Sequence, residues 1–269
     1  MTNARKLALH TWTLDTTPLA DLLRIARETG WGGVELRRID FVRAGERGQA
    51  ATEVMDLVKA SGLPVACVGV ELGWMWARGA ERARLYQVFA EQCERARALG
   101  SRTVMSPVDR GRGDPGEAAA SLREAGDIAA GYGVTLAVEF NSQAEQLNTL
   151  ESIRELMARA AHASCGLLLD TYHLERSGAD LRAIEDVAAR EIAYVQYSDV
   201  PRTGVEPGKA LDRLPPGQGR VRFKEIFGLL SGKGYAGYLS YEAPNPSAWA
   251  RPAEEVAREA FTATLAALP

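Results

Sequence analysis

Eight short, β-rich runs recur along this chain, and each is followed by a stretch with helical periodicity. The runs are Lys6–Trp12, Gly33–Arg37, Val65–Val70, Thr103–Val108, Thr135–Phe140, Gly166–Tyr172, Ile192–Asp199 and Gly237–Ala243. Most are continuously apolar, as parallel strands covered on both faces must be. The helical stretches lie near 18–29, 50–61, 81–99, 115–131, 148–161, 180–190 and 222–232, and a last one near 252–267 closes the chain. Pro18 and Pro115 suit first turns, and Asn148-Thr-Leu-Glu151 reads as a cap with a Glu three residues on. Gly30, Gly62, Gly100 and Gly133 follow helices, where a left-handed residue is wanted.

Eight βα units without an obvious linker specify a closed (β/α)₈ TIM barrel. A doubly wound open sheet is the alternative, but it normally carries a glycine-rich phosphate turn after its first strand. Here that strand ends His10-Thr11-Trp12-Thr13. A length of 269 residues suits two average domains, yet barrels of this size run as one, so residues 1–269 read as a single domain. The longest interruption, Asp199 to Gly219, is rich in Pro and Gly and follows strand seven, where a barrel's functional loops emerge.

Composition excludes more than it selects. The 32 Lys+Arg against 35 Asp+Glu leave a formal net charge of −3, which gives no reason to expect a nucleic-acid partner. Cys67, Cys93 and Cys165 form no CxxC pair, so neither a disulfide framework nor a Cys-rich zinc site is expected. Met1 to Lys6 lacks the basic start and apolar run of a signal peptide, and no run reaches the ~18 apolar residues of a membrane span. The expectation is a cytoplasmic protein with no membrane partner.

In a barrel, chemistry is built at the carboxyl ends of the strands. Four successive runs deliver a polar residue there: Glu139, Asp170, Gln196 and Glu242. Each emerges from apolar sequence, where an unpaired carboxylate is costly. Three carboxylates at one mouth also repel one another, and a divalent cation is the simplest remedy. Acidic and amide oxygens form a hard ligand set, which points to one Mn²⁺, with Mg²⁺ as second choice. The competing reading pairs each acid separately with an arginine.

Further candidates surround this set. His173 stands three residues past Asp170 and reaches either substrate or backbone, and Glu145, six past Glu139, binds a substrate hydroxyl or is solvated. Glu35 orients a ligand or pairs with Arg37 or Arg38, and His10 lines the pocket or simply packs. Trp12, Trp74, Trp76 and Trp249 fall in top loops, where an aromatic wall suits a sugar and Trp12 is the substrate-binding candidate. His162 reads as a helix-end residue outside the site.

These pieces make the chain resemble the sugar phosphate isomerase/epimerase family, the xylose isomerase-like barrels, over nearly its whole length. The resemblance is carried by Gly30-Trp-Gly-Gly-Val-Glu-Leu-Arg37, Ala137-Val-Glu139, Gly166-Leu-Leu-Leu-Asp170-Thr-Tyr-His173, Val195-Gln-Tyr-Ser-Asp199, Pro216-Gly-Gln-Gly219 and Gly237-Tyr-Leu-Ser-Tyr-Glu242. It implies a metal held by Glu139, Asp170, Gln196 and Glu242, with Glu139 and Glu242 also moving protons. Ketose 3-epimerases carry His at the strand-seven position, whereas Gln196 matches hydroxypyruvate isomerase-like members. The resemblance implies substrate contacts from Glu145, His173 and an arginine before the Gly-x-Gly loop, for which Arg213 is preferred over Arg202. Endonuclease IV relatives need several histidine ligands, and strands three and four end here without one. A homo-oligomer is expected from the resemblance alone.

The function these readings imply is a divalent-metal-dependent isomerase or epimerase of a small keto-sugar or hydroxy-ketone, working through a metal-stabilised ene-diolate. The first alternative is a metal-dependent lyase or dehydratase on a keto-cyclitol, a dehydroshikimate-like compound or a 3-keto-glycoside. The second is a non-catalytic sugar-binding or partner barrel.

Overall fold

The computed structural model describes residues 6–204 and 210–269. The N-terminal reading on Met1 to Lys6 and the middle of the 199–219 loop fall largely or partly outside them. Eight strands, β1 (Leu7–His10), β2 (Gly33–Leu36), β3 (Val65–Gly69), β4 (Thr103–Pro107), β5 (Thr135–Glu139), β6 (Cys165–Asp170), β7 (Ile192–Tyr197) and β8 (Leu239–Tyr241), pair in sequence order. All neighbours are parallel, and β8 returns to β1, so the cylinder is closed. No helix of the described residues is long and apolar enough to cross a membrane.

Helices connect the strands where periodicity placed them, with shifted ends. The expected 81–99 stretch is Gly79–Ala98, and 180–190 shortens to Leu181–Glu185 followed by a 3-10 turn at Ala189–Glu191. Gly30 and Gly133 end their helices at φ 100° and 69°, left-handed values that a Cβ would strain. The cap expected at Asn148 lies one residue later. Thr149 accepts from the Ser152 N–H, and Ser152 rather than Glu151 returns the bond.

Strands end earlier than the apolar runs because side chains turn the chain at their tops. The His10 ring caps a 3-10 turn at Thr11–Leu14 by accepting from the Trp12 N–H. The Asp170 carboxylate accepts from the Tyr172 N–H and starts the short helix Thr171–Arg176.

Side chains two apart on a strand share a face. Ala8, Cys67, Met105, Ala137, Leu168 and Tyr194 form one buried cluster inside the cylinder, separate from the larger core between sheet and helices. Two residues further along each of these strands stand His10, Gly69, Pro107, Glu139, Asp170 and Gln196. Parity therefore delivers the polar residues to the lumen's upper layer while the layer below stays mostly apolar.

The loop after β7 is folded around one buried carboxylate. Asp199 accepts backbone N–H groups from Val200 at 2.9 Å, Gly217 at 2.9 Å, Gly219 at 2.7 Å and Val221 at 2.9 Å. A backbone pair between Asp199 and Leu214 closes the other side. A Cβ on Gly219 would collide with the Val200 carbonyl and the Asp199 carboxylate, so only glycine fits there. The stretch so pinned includes Arg213, one residue before Leu214. Each orphaned buried donor costs ~1–3 kcal/mol. Asp199→Ala is therefore expected to lower unfolding free energy by about 3 kcal/mol or more in urea titrations, with Asp199→Asn losing less. An Ala variant of unchanged stability would show that the loop is held by other means.

Candidate active site

The upper layer converges on a cavity of about 330 Å³ at the carboxyl ends of the strands. That volume lies at the small end of the range for small-molecule sites. Its lining includes His10, Trp12, Glu139, His173, Arg213 and Glu242, together with Arg37, Arg38, Arg110, Asn141 and Gln143. Asp170, Gln196 and Glu35 are fully buried beneath or beside it.

Arg213 organises the acids. Its Nη1 donates to Asp170 Oδ2 at 2.8 Å and to Glu242 Oε2 at 2.9 Å. The guanidinium thus fills the gap between two of the expected metal ligands, and its face lies over the Tyr172 ring at 4.4 Å. One arginine thus pairs with two of the acids at once, where the competing reading gave each acid its own.

Gln196 donates from Nε2 to Glu35 Oε1 at 2.9 Å. The Gln196 Oε1 has no hydrogen-bond partner among the described residues. Glu139 Oε1 and Glu35 Oε2 are likewise buried without partners. Glu139, Asp170 and His173 place ligand atoms within 4.8 Å of one another. Unpartnered oxygens beside converging acids fit a hard divalent cation. His173 Nδ1 accepts from the Ser142 backbone N–H at 3.2 Å, and Arg213 Nη2 lies 3.4 Å from Nε2. Nε2 also lies 3.8 Å from Glu139 and 3.9 Å from Asp170, so the imidazole stands among the same converging ligand atoms.

Burial dominates the electrostatics. It pushes Glu35 up to about 8, with the Glu242 charge adding to the effect. Burial, then the charges of Asp170 and Glu242, raise Glu139 well above the usual carboxylate range. Glu242 is also raised by burial, against the pull of Arg213. Burial holds His173 down at about 3, and burial followed by Arg37 and Arg213 keeps His10 well below its ordinary value. Both imidazoles are neutral at pH 7. His10 Nδ1 accepts from Trp12, so its Nε2–H faces Glu242 Oε1 at 3.4 Å. Burial works against the Arg213 charge, but Asp170, Glu242 and Glu139 outweigh it.

Nine of the ten residues named from sequence meet in or directly under this cavity. Glu145 does not: it is exposed and pairs with Arg112 at 3.2 Å. Its backbone N–H is tied to the Arg110 carbonyl. Glu35 pairs with neither Arg37 nor Arg38, which bind Asp15, Asp40 and Glu71 instead. Arg202 is exposed and lies outside the cavity lining, so Arg213 is the arginine that the loop delivers. Of the tryptophans only Trp12 lines the cavity; Trp74 is buried and donates to Ser106. Sequence reasoning passed over Asn141 and Gln143, whose loop positions after β5 carry no pattern of their own.

The architecture is a (β/α)₈ barrel with an acid-lined mouth. Residues 23–265 match the xylose isomerase-like TIM barrel family, and the chain belongs to it. An inosose isomerase of Halalkalibacterium halodurans is 28% identical over 54% of this chain and 51% of its own length. A 3-dehydroshikimate dehydratase of Pseudomonas aeruginosa is 32% identical over 52% of this chain, but only 22% of its own length is matched. The matched stretch thus spans about half the length of the first of these curated relatives and 22% of the second. The fold is shared with a zinc-bound IOLI protein at TM-score 0.87 and 21% identity, covering 97% of each chain.

A carboxyl at about 8 in the folded protein and 4.5 when free holds an extra proton in the folded state between those values. Stability must then fall as pH rises through that window, by up to ~1.4 kcal/mol per pH unit, and level off above it. Glu35→Gln copies the protonated shape and keeps an acceptor for Gln196. In chelator-treated protein, the variant is expected to lose this slope between pH 5 and 8 in denaturant titrations. Parallel curves for variant and wild type would show that Glu35 does not hold the proton.

Proposed function

We propose that the chain is a divalent-metal-dependent isomerase or epimerase of a small keto-sugar or hydroxy-ketone, acting by proton transfer at the carbon next to the carbonyl. The observation that carries this reading is a doubled acid: Glu139 and Glu242 line one cavity from strands three positions apart round the barrel. Each has a neutral imidazole beside it, His173 at 3.8 Å and His10 at 3.4 Å. Carboxyls with raised proton affinity suit taking and returning a proton near neutral pH. Glu139 takes the proton, and Glu139 or Glu242 returns it. Return to the opposite face of the same carbon inverts it, whereas return to the neighbouring carbon exchanges ketone and alcohol.

Glu139, Asp170, Gln196 and Glu242 would hold the metal, which we assign as Mn²⁺ before Mg²⁺ because all four donors are oxygens. When bound, it supplies Lewis-acid stabilisation of negative charge developing on the substrate. Arg213 and His173 then bind substrate oxygens from above the acids, and Trp12 closes the cavity wall. The inosose isomerase relative is consistent with a polyhydroxylated ketone as substrate.

A dehydratase is the second reading. It is favoured by the His173 imidazole on the cavity wall beside Glu139, and by the dehydratase relative.

Incubation of candidate ketoses in D₂O with Mn²⁺ tests both. An isomerase or epimerase washes deuterium into recovered sugar, while a dehydratase yields a product lighter by water. Glu139→Gln is expected to slow exchange by at least ~10²-fold. Chelator is expected to abolish it, and full exchange in either condition would sink the assignment.

A further inference from the structure

The loop that follows β5 is closed on itself. The Asn141 N–H donates to the Leu147 carbonyl at 3.1 Å, and the Ala144 N–H returns to the Asn141 carbonyl at 2.8 Å. Inside that loop the Asn141 side-chain oxygen accepts from the Gln143 N–H at 2.9 Å, a turn in which a side chain stands in for backbone. Gln143, so held, lines the cavity together with His173 and Arg213. Its side-chain oxygen is buried there without a hydrogen-bond partner among the described residues. Gln146, three residues on, shows the contrast: its side-chain oxygen accepts from the Gly113 N–H at 3.0 Å. A half-buried loop side chain is free to turn to water, and a buried polar atom left unpaired costs ~1–3 kcal/mol. An acceptor kept buried on a cavity wall at that cost is complementary to a donor that arrives with a ligand.

Resting on the proposed reaction, we propose that Gln143 is a specificity-determining residue whose side-chain oxygen accepts a hydrogen bond from a hydroxyl of the bound keto-sugar. Glu145, expected to bind such a hydroxyl, is exposed and paired with Arg112 at 3.2 Å. The charge at the mouth favours an amide over an acid for this task. Glu35, Glu139, Asp170 and Glu242 already gather four buried carboxyls, and a fifth would meet like charge. A neutral oxygen accepts from a hydroxyl without adding to that repulsion. Arg213 can only donate, so it reads a substrate oxygen as an acceptor, whereas Gln143 reads a hydroxyl as a donor.

The test is calorimetry in buffer containing Mn²⁺ on wild type, Gln143→Met and Gln143→Glu. The D-2-ketohexoses are ranked first, and then each monodeoxy derivative of the tightest binder is compared with its parent. Position 143 is half-buried on a loop, so both variants are expected to fold. At one carbon, the deoxy compound is expected to bind wild type ~10-fold more weakly than the parent does. That ratio is expected to fall toward one in Gln143→Met and to persist in Gln143→Glu, which keeps an oxygen acceptor, while the ratios at other carbons stay as they are. Ratios that match throughout in wild type and Gln143→Met, loss of the preference in Gln143→Glu, or failure of all these sugars to bind overturns the inference. Deuterium exchange on the parent sugar separates the two claims. Exchange without a hydroxyl coupled to Gln143 leaves the reaction standing and removes Gln143 from recognition, whereas a coupled hydroxyl without exchange does the reverse.

Discussion

Four carboxyls buried at one barrel mouth, with a single guanidinium bonded to two of them, are the constraint on which the rest of this molecule turns. Glu35, Glu139, Asp170 and Glu242 are drawn out of water by the same closed cylinder that gives the fold its stability. Arg213 answers only two of them directly. The remaining imbalance is met by raised proton affinity at Glu35 and Glu139, and it leaves oxygens such as Glu139 Oε1 without partners. A layer of this kind is expensive in an otherwise apolar lumen, which is why it reads as chemistry rather than architecture.

The scaffold meets that expense through parity and through the strand-seven loop. Two-residue periodicity keeps the polar layer at the lumen's top and small or apolar side chains beneath it. The loop is a separate device. Four backbone donors gathered on Asp199 fix a stretch otherwise rich in Pro and Gly, and that stretch brings in Arg213. The site's one shared cation is thus supplied by a loop folded around an acid that takes no part in the cavity.

Much of this was legible in the sequence because buried acids interrupt apolar runs visibly. Glu139, Asp170, Gln196 and Glu242 stand out for that reason. Strand ends were read too long because His10 and Asp170 turn the chain with their own side chains, which composition does not announce. The helix Arg38–Glu46 was missed because it buries only Phe41 and Ala44 and shows little periodicity. Glu145 is exposed and paired with Arg112 instead of lining the cavity, because spacing along a loop says nothing about which way the loop turns. The Gln196–Glu35 bond spans 161 positions, a distance over which no local pattern informs.

That last bond has a consequence for how the mouth responds to acid. An amide neither gains nor loses a proton anywhere in the biological range, unlike the imidazole found at the same place in other barrels of this kind. Strand seven therefore contributes a dipole that carries no charge of its own at any pH, and the groups that titrate around it are Glu35 and the neighbouring acids.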